Sequence, residues 1–133
     1  MELTVIIPVY NEEETLEEII RRVKDTKLAN EILCVDDGST DRSREILKGY
    51  ENDPIVNVIF SEKNEGKGAA VRKGILAAKS EYAIIQDADL EYNPECFASL
   101  MKPIEDGIAD VVYGSRFLGA ARRPILFWNM VAN

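Results

Sequence analysis

Five short, almost continuously apolar runs, each separated from the next by a longer polar-and-apolar stretch, constrain this chain more than any other feature. The runs are Leu3–Pro8, Glu31–Val35, Val56–Phe60, Tyr82–Asp87 and Asp110–Tyr113. They are rich in Val and Ile and do not alternate with polar residues, the pattern of strands covered on both faces. The first intervening stretch, from about Glu12 to Asp25, places Leu16, Ile19, Ile20 and Val23 at the i, i+3, i+4, i+7 spacing of a helix. Asn11 is the expected N-cap, and Glu12, Glu13 and Glu14 fall where a helix dipole favours negative charge. A second helix is predicted from near Thr40 with Ile46, Leu47 and Tyr50 inward, and a third from near Gly68 with Val71, Ile75, Leu76 and Ala78. A fourth has Asn93 as cap and Pro94 at its first position, with Phe97, Leu100, Met101 and Ile104 inward. A last helix is expected from Pro124. Strands alternating with helices give an α/β fold, a mostly parallel sheet with helices on both faces and right-handed crossovers. In such sheets ligands bind beyond the carboxyl ends of the strands, near a topological switch point.

Length and composition narrow the chemistry. A chain of 133 residues is the size of one domain, so residues 1–133 are read as a single unit able to build a core without metal or disulfide support. The absence of histidine removes Ser-His-Asp triads, Cys-His dyads and HExxH zinc sites. Two cysteines, Cys34 and Cys96, are too few for a structural zinc site or a disulfide scaffold and fit a reducing, cytoplasmic setting. A net charge of −8 argues against a nucleic-acid partner. The N-terminus lacks a basic n-region, and no run approaches the roughly 18 apolar residues of a membrane span. The expectation is a soluble or peripheral protein on the cytoplasmic side of the membrane. After Asp110 no acid follows: Arg116, Arg122 and Arg123 stand among Phe117, Leu118, Ile125, Leu126, Phe127, Trp128 and Met130. That segment reads either as a membrane-surface contact or as a core-packing helix.

The residues just after each strand are therefore the ones to weigh. They are Pro8-Val9-Tyr10-Asn11-Glu12, Asp36-Asp37-Gly38-Ser39-Thr40-Asp41, Asn64-Glu65-Gly66-Lys67-Gly68, Asp87-Ala88-Asp89 and Gly114-Ser115-Arg116. Asp87 and Asp89 can reach one hard divalent cation if the chain bends between them; the plainer reading is an acidic turn. Asp36 and Asp37 suit a nucleobase edge or a ribose, or simply a tight turn. Gly66 and Lys67 bring backbone amides and an ammonium to a helix start, as a phosphate cradle or a surface loop. Arg116 suits a bidentate phosphate contact or the surface. GxGxxG is absent after the first strand, Gly66–Val71 lacks its third glycine, and GxxxxGK[ST] is absent, so dinucleotide and P-loop readings fall away.

Taken in order, VIIPVYNEEETL, VDDGSTD, NEGKGAAVRKGI, DADLEYNPE and DVVYGSRF resemble the family-2 inverting glycosyltransferases of the GT-A (Rossmann-like) fold. The nearest branch is that of the dolichyl-phosphate mannose synthase-like and polyprenyl-phosphate glucose synthase-like enzymes. The resemblance runs from Leu3 to about Asn129, and DADLEYNPE and YGSRF are its most specific pieces. It implies that Pro8, Tyr10, Asn11 and Glu12 border a nucleotide sugar and that Asp36 or Asp37 reads its base or ribose. It places Gly66 and Lys67 by the phosphates. Asp87 and Asp89, with Glu91 as a third ligand, would hold Mg²⁺ or Mn²⁺. Asp89 and Arg116 become the catalytic positions, and Arg116, Arg122 and Arg123 the contacts to an acceptor phosphate. Members of this family usually continue well past the point where this chain stops, so the fold is expected to be incomplete, the N-terminal part of a longer domain.

The expected reaction moves a hexose from GDP-mannose or UDP-glucose to a polyprenyl (dolichyl-type) phosphate with inversion. An acceptor that is already an anion needs no strong general base, in agreement with a chain devoid of histidine. Two other readings stand beside it. One is a family-2 transferase acting on a saccharide hydroxyl; the other is a non-catalytic nucleotide-sugar-binding module, self-associating through an uncovered sheet edge. A sugar-nucleotide pyrophosphorylase would need a Gly-rich, Arg-containing loop after the first strand, where Pro8–Glu12 stand instead.

Overall fold

The computed structural model describes residues 1–91, 93–114 and 125–129. Strands β1 (Leu3–Val9), β2 (Glu31–Asp36), β3 (Val56–Phe60), β4 (Tyr82–Ile85), β5 (Val111–Gly114) and β6 (Ile125–Asn129) form one sheet in the order β3-β2-β1-β4-β6-β5. β1 pairs in parallel with β2 and β4, and β2 with β3; β6 runs antiparallel to both β4 and β5. The sheet is therefore mostly parallel, as the sequence pattern requires.

Helices α1 (Leu16–Asp25), α2 (Ser43–Lys48), α3 (Lys67–Ala77) and α4 (Phe97–Glu105) cover the two faces. On one face Leu3, Val5, Ile7 and Val9 pack with the α1 stripe Leu16, Ile19, Ile20 and Val23, with Leu47 of α2, and with Phe97, Leu100, Met101 and Ile104 of α4. On the other face Ile6, Leu33, Val35 and Ala83 meet Ala70 of α3. Residues alternate sides along β1 and both sides are buried, which is why its sequence is apolar throughout. Cys34 lies within the first of these clusters, and burial pushes its thiol up to about 12.

Four expectations need correction. The last predicted helix, from Pro124, is contradicted at Ile125–Asn129, which form strand β6. The apolar face of α3 is only partly the one expected: Ile75 and Ala78 pack against the core, but its most buried residues are Ala70 and Gly74, and Leu76 is 78% exposed. The first helix begins at Leu16 rather than near Glu12, with Thr15 at its N-cap position, so Asn11 does not cap it. The second begins at Ser43 rather than near Thr40. The fourth starts as expected: the Asn93 side chain accepts from the Glu95 amide, and Pro94 opens a 3-10 turn, Pro94–Cys96, that leads into α4. Among the described residues no helix is long and apolar enough to cross a membrane.

Candidate functional site

The backbone of β1 opens the site. Its carbonyls bond alternately to either side: Leu3 and Val9 accept from Asn30 and Asp37 on the β2 side, Glu2 and Ile6 from Tyr82 and Gln86 on the β4 side. Pro8 belongs to the second set, and the pairing of β4 with β1 ends at Ile85. A residue without an N–H thus stands where no strand asks for one. β2 and β4 lie on opposite sides of β1, and their connections diverge there, which is the switch point.

A cleft of ≈ 270 Å³ occupies this place. Pro8, Val9, Tyr10 and Glu12 line it from the end of β1, Asp37 from β2, Asn64, Gly66, Lys67 and Ala70 from the start of α3, and Asp87, Ala88 and Asp89 from the end of β4. Of the residues singled out in the sequence, Pro8, Tyr10, Glu12, Asp37, Gly66, Lys67, Asp87 and Asp89 are thereby brought together. The Tyr10 ring is nearly half exposed.

The chain turns at Ala88–Asp89, just past β4. Leu90 holds a left-handed backbone, φ 64°, and the Glu91 amide donates to Asp89 Oδ1 at 3.1 Å. A left-handed non-glycine costs about 1 kcal/mol, so packing must hold this turn in place. Thr15 does part of that: its hydroxyl donates to the Ala88 carbonyl at 2.5 Å and faces Glu12 Oε2 at 3.3 Å. Thr15 was not legible as a site residue, because its partner lies 73 positions away. The Lys67 ammonium pairs with Asp87 Oδ1. Burial raises the Glu12 carboxyl above its ordinary value of 4.5, and the charges of Asp89, Asp41 and Asp87 raise it further, while the Thr15 hydroxyl opposes them.

Four carboxylates, Glu12, Asp37, Asp87 and Asp89, and one ammonium, Lys67, line this cleft, an excess of hard oxygen donors that suits a divalent cation. Asp87 and Asp89 both line it, with Asp87 Oδ1 on the Lys67 ammonium and Asp89 Oδ1 accepting from the Glu91 amide. Glu91 does not line the cleft, and among the described residues no group of three acidic or cysteine side chains is set to hold a metal ion. Two carboxylates leave the other positions to water and substrate oxygens, the usual state of a Mg²⁺ or Mn²⁺ site that also holds a diphosphate.

Two sequence candidates, Asp36 and Asn11, are not among the residues that line the cleft, and a third, Asp37, lines it with its oxygens engaged. Asp36 is fully buried outside the cleft, its Oδ2 3.5 Å from the Arg44 guanidinium and 3.3 Å from the Ser39 amide, and its Oδ1 has no hydrogen-bond partner among the described residues. Asp37 reaches the cleft with both oxygens occupied by the amides of Glu65 and Gly66. Asn11, at φ 51°, turns its side chain into the next loop, where Oδ1 accepts from the amides of Thr40 at 2.8 Å and Asp41 at 3.2 Å. The same two loops are laced by the Asn11 amide to Ser39 Oγ and the Glu12 amide to Ser43 Oγ, at 3.0 and 2.9 Å. Arg116, Arg122 and Arg123 lie outside the described residues.

Residues 4–128 match the family described as Glycosyl transferase family 2. The chain is 38% identical over 120 residues to a dolichol-phosphate mannosyltransferase of Pyrococcus furiosus, covering 89% of this chain and 34% of the relative. It is 37% identical over 130 residues to an undecaprenyl-phosphate 4-deoxy-4-formamido-L-arabinose transferase of Pseudomonas fluorescens, covering 91% of this chain and 38% of the relative. Among solved structures, a mannosyltransferase from Pyrobaculum calidifontis in complex with GDP-Man and Mn²⁺ superposes with a TM-score of 0.72 at 25% identity, over 83% of this chain and 34% of that one. TarS of S. aureus in complex with UDP-GlcNAc superposes with a TM-score of 0.71 at 28% identity, over 84% of this chain and 33% of that one. The chain thus spans about a third of the length of each of these proteins.

Proposed function

The chain belongs to glycosyl transferase family 2, and from that premise we propose that it serves the transfer of a hexose from GDP-mannose or UDP-glucose to a polyprenyl phosphate, with inversion at the anomeric carbon. The observation that carries the reading is the convergence of Asp87, Asp89 and Lys67 on one cleft at the switch point. The prenyl-phosphate acceptors named for two of its relatives support the acceptor class.

In this reading the exposed Tyr10 ring and Pro8 form the wall against which a nucleoside packs. Gly66 and Lys67 stand where the N-terminus of α3 and an ammonium both favour phosphate oxygens. Asp87 and Asp89 would hold Mg²⁺ or Mn²⁺, which when bound neutralises charge on the departing diphosphate. Lys67, now paired with Asp87, is placed to share that task by turning toward the phosphates. The acceptor phosphate is ionised near neutral pH, so the chain needs no general base, and binding serves chiefly to hold the two reactants in line. Arg116, Arg122 and Arg123 are assigned to the acceptor phosphate, Asp89 and Arg116 to catalysis, and the contact with a lipid-borne acceptor to the membrane surface. In this reading residues 1–133 supply the nucleotide-sugar-binding part of the family domain, the chain spanning about a third of the length of its relatives.

The test is calorimetry with GDP-mannose and UDP-glucose, with and without Mn²⁺, on this chain and on Asp89→Asn. Binding should depend on Mn²⁺, and the substitution should weaken it at least tenfold, about 1.4 kcal/mol. Equal affinity for both proteins would overturn the metal assignment, and no binding of either donor would overturn the function.

A further inference from the structure

Thr15 stands at the N-cap position of α1, where a threonine side chain ordinarily accepts from the first amides of its own helix. It makes no such bond. The chain entering α1 is held by the Glu12 carbonyl, which accepts from the Thr15 and Leu16 amides at 3.2 and 3.0 Å. The Thr15 hydroxyl turns away and donates to the Ala88 carbonyl at 2.5 Å. Glu12 Oε2 lies farther off, at 3.3 Å, and a hydroxyl has one proton to give. Ala88 is 3% exposed and belongs to the core. The pairing of β4 with β1 ends at Ile85 and with β6 at Ile84, so among the described residues the ladder supplies no donor for this buried carbonyl. One residue earlier, the buried Gln86 side chain donates to the Asp87 carbonyl at 3.1 Å. Side chains thus hold the carbonyls of both peptides that lie between Asp87 and Asp89.

We propose that Thr15 is a positioning residue for the turn after β4: by holding the Ala88 carbonyl it orients the peptide that leads into Asp89, and so sets how Asp87 and Asp89 stand toward one divalent cation. This rests on the metal site proposed above and names a residue, 73 positions from Ala88 in sequence, that shapes it. The Ala88 carbonyl oxygen and the Asp89 nitrogen and α-carbon lie in one peptide plane. A bond to the oxygen therefore fixes where the Asp89 α-carbon stands. Mg²⁺ tolerates little departure from octahedral geometry, so a site with two carboxylates gains from a backbone held on both sides. Gln86 and Lys67 hold the Asp87 side, and Thr15 holds the Asp89 side. Threonine suits the place because its hydroxyl sits on a short, branched stem with few rotamers. The group that would cap α1 serves the end of β4 instead.

The experiment compares the 133-residue chain with three variants. Thr15→Val keeps the shape and removes the donor, Thr15→Ser keeps the donor, and Val23→Ala loosens α1 in its buried stripe, away from the turn. Mn²⁺ affinity is read from the paramagnetic resonance signal of the free ion, in UDP and separately in GDP. Thr15→Val should bind Mn²⁺ about tenfold more weakly or worse, the usual loss when a group supporting a metal ligand is removed. Thr15→Ser and Val23→Ala should bind it as the unaltered chain does. Without metal or nucleotide, the ¹³C resonance of the Ala88 carbonyl should move upfield in Thr15→Val and keep its place in Thr15→Ser, because a donor deshields the carbonyl carbon. An unmoved resonance in Thr15→Val overturns the bond. Undiminished Mn²⁺ affinity in that variant overturns the positioning role and leaves the proposed function standing. A loss of equal size in Thr15→Ser or Val23→Ala also overturns it, since packing of α1 and not the hydroxyl would then be responsible. Should Thr15→Val fail to fold, Thr15→Cys sets a weak thiol donor in the same place and carries the same readouts. If the unaltered chain binds no Mn²⁺ with either nucleotide, the proposed metal site falls and the role of Thr15 with it, and the carbonyl resonance still decides the bond.

Discussion

Asn11 shows how a residue can be recognised by type and still be assigned the wrong partner. Its side chain does cap backbone amides, but those of Thr40 and Asp41, about 30 positions on, ahead of α2 instead of its own α1. Short polar side chains advertise capping chemistry without saying whose amides they will meet. Two terms separate the variants at this position: the acceptor shared by two amides, about 1–2 kcal/mol and lost in both, and the left-handed backbone, which asparagine and glycine tolerate but alanine adopts at a cost of about 1 kcal/mol. Asn11→Ala should therefore lower stability in urea by about 2–3 kcal/mol, and Asn11→Gly by only the first part. Equal losses for the two variants would show that the backbone conformation contributes nothing. Asp36 and Asp37 illustrate the same limit. The sequence marks both as chemically loaded, yet only the fold reveals that one is sealed beside Arg44 and the other is bonded to a loop.

Among elements, α3 departs furthest from its sequence pattern. Close packing on β1 is achieved with small residues, and Gly74 lies so near Ile6 that a Cβ would fall 2.5 Å from Ile6 Cγ2. Periodicity rewards large apolar residues, so it put Leu76 inside and overlooked Gly74. Gly74→Ala gains about 1 kcal/mol of helix propensity but loses about 1–3 kcal/mol to overpacking, so a net loss is expected. Gly68→Ala, where a Cβ meets nothing within 4 Å, should gain up to about 1 kcal/mol. Chemical denaturation of both variants would check the order, and a Gly74→Ala chain more stable than Gly68→Ala would refute the packing argument. β1 and β2 were legible because burial on both faces leaves an apolar run with no other use, and the partly buried β3 and β4 because they still carry mostly apolar residues. The run at Ile125–Asn129 is also apolar, but five residues do not distinguish a strand from a helix turn, and no local signal says that it will pair between β4 and β5.

For the whole molecule, the location of the site followed from topology alone, since strand ends that share one edge of a parallel sheet bring their loops together whatever their sequences. Charge adds to this. The chain carries 24 acids and 16 bases, and the cleft concentrates part of that excess, to which Glu12 responds. Its carboxyl is raised in the folded state above the ordinary 4.5, so the protonated form is the one that folding favours. That contribution is present below about pH 4.5 and is lost as pH rises through the folded value, leaving a net cost at neutral pH. Glu12→Gln should raise the melting temperature at neutral pH, with the gain fading toward about pH 4. A gain of equal size at both pH values would exclude charge as its source. One consequence of the strand order concerns assembly in time. β5 leaves the ribosome before β6, yet among the described residues its only neighbour in the sheet is β6, which must first add to β4. Until residues 125–129 arrive, β4 has one open side and β5 has nowhere to attach, so among the described strands the latest one synthesised is the one that joins β5 to the sheet.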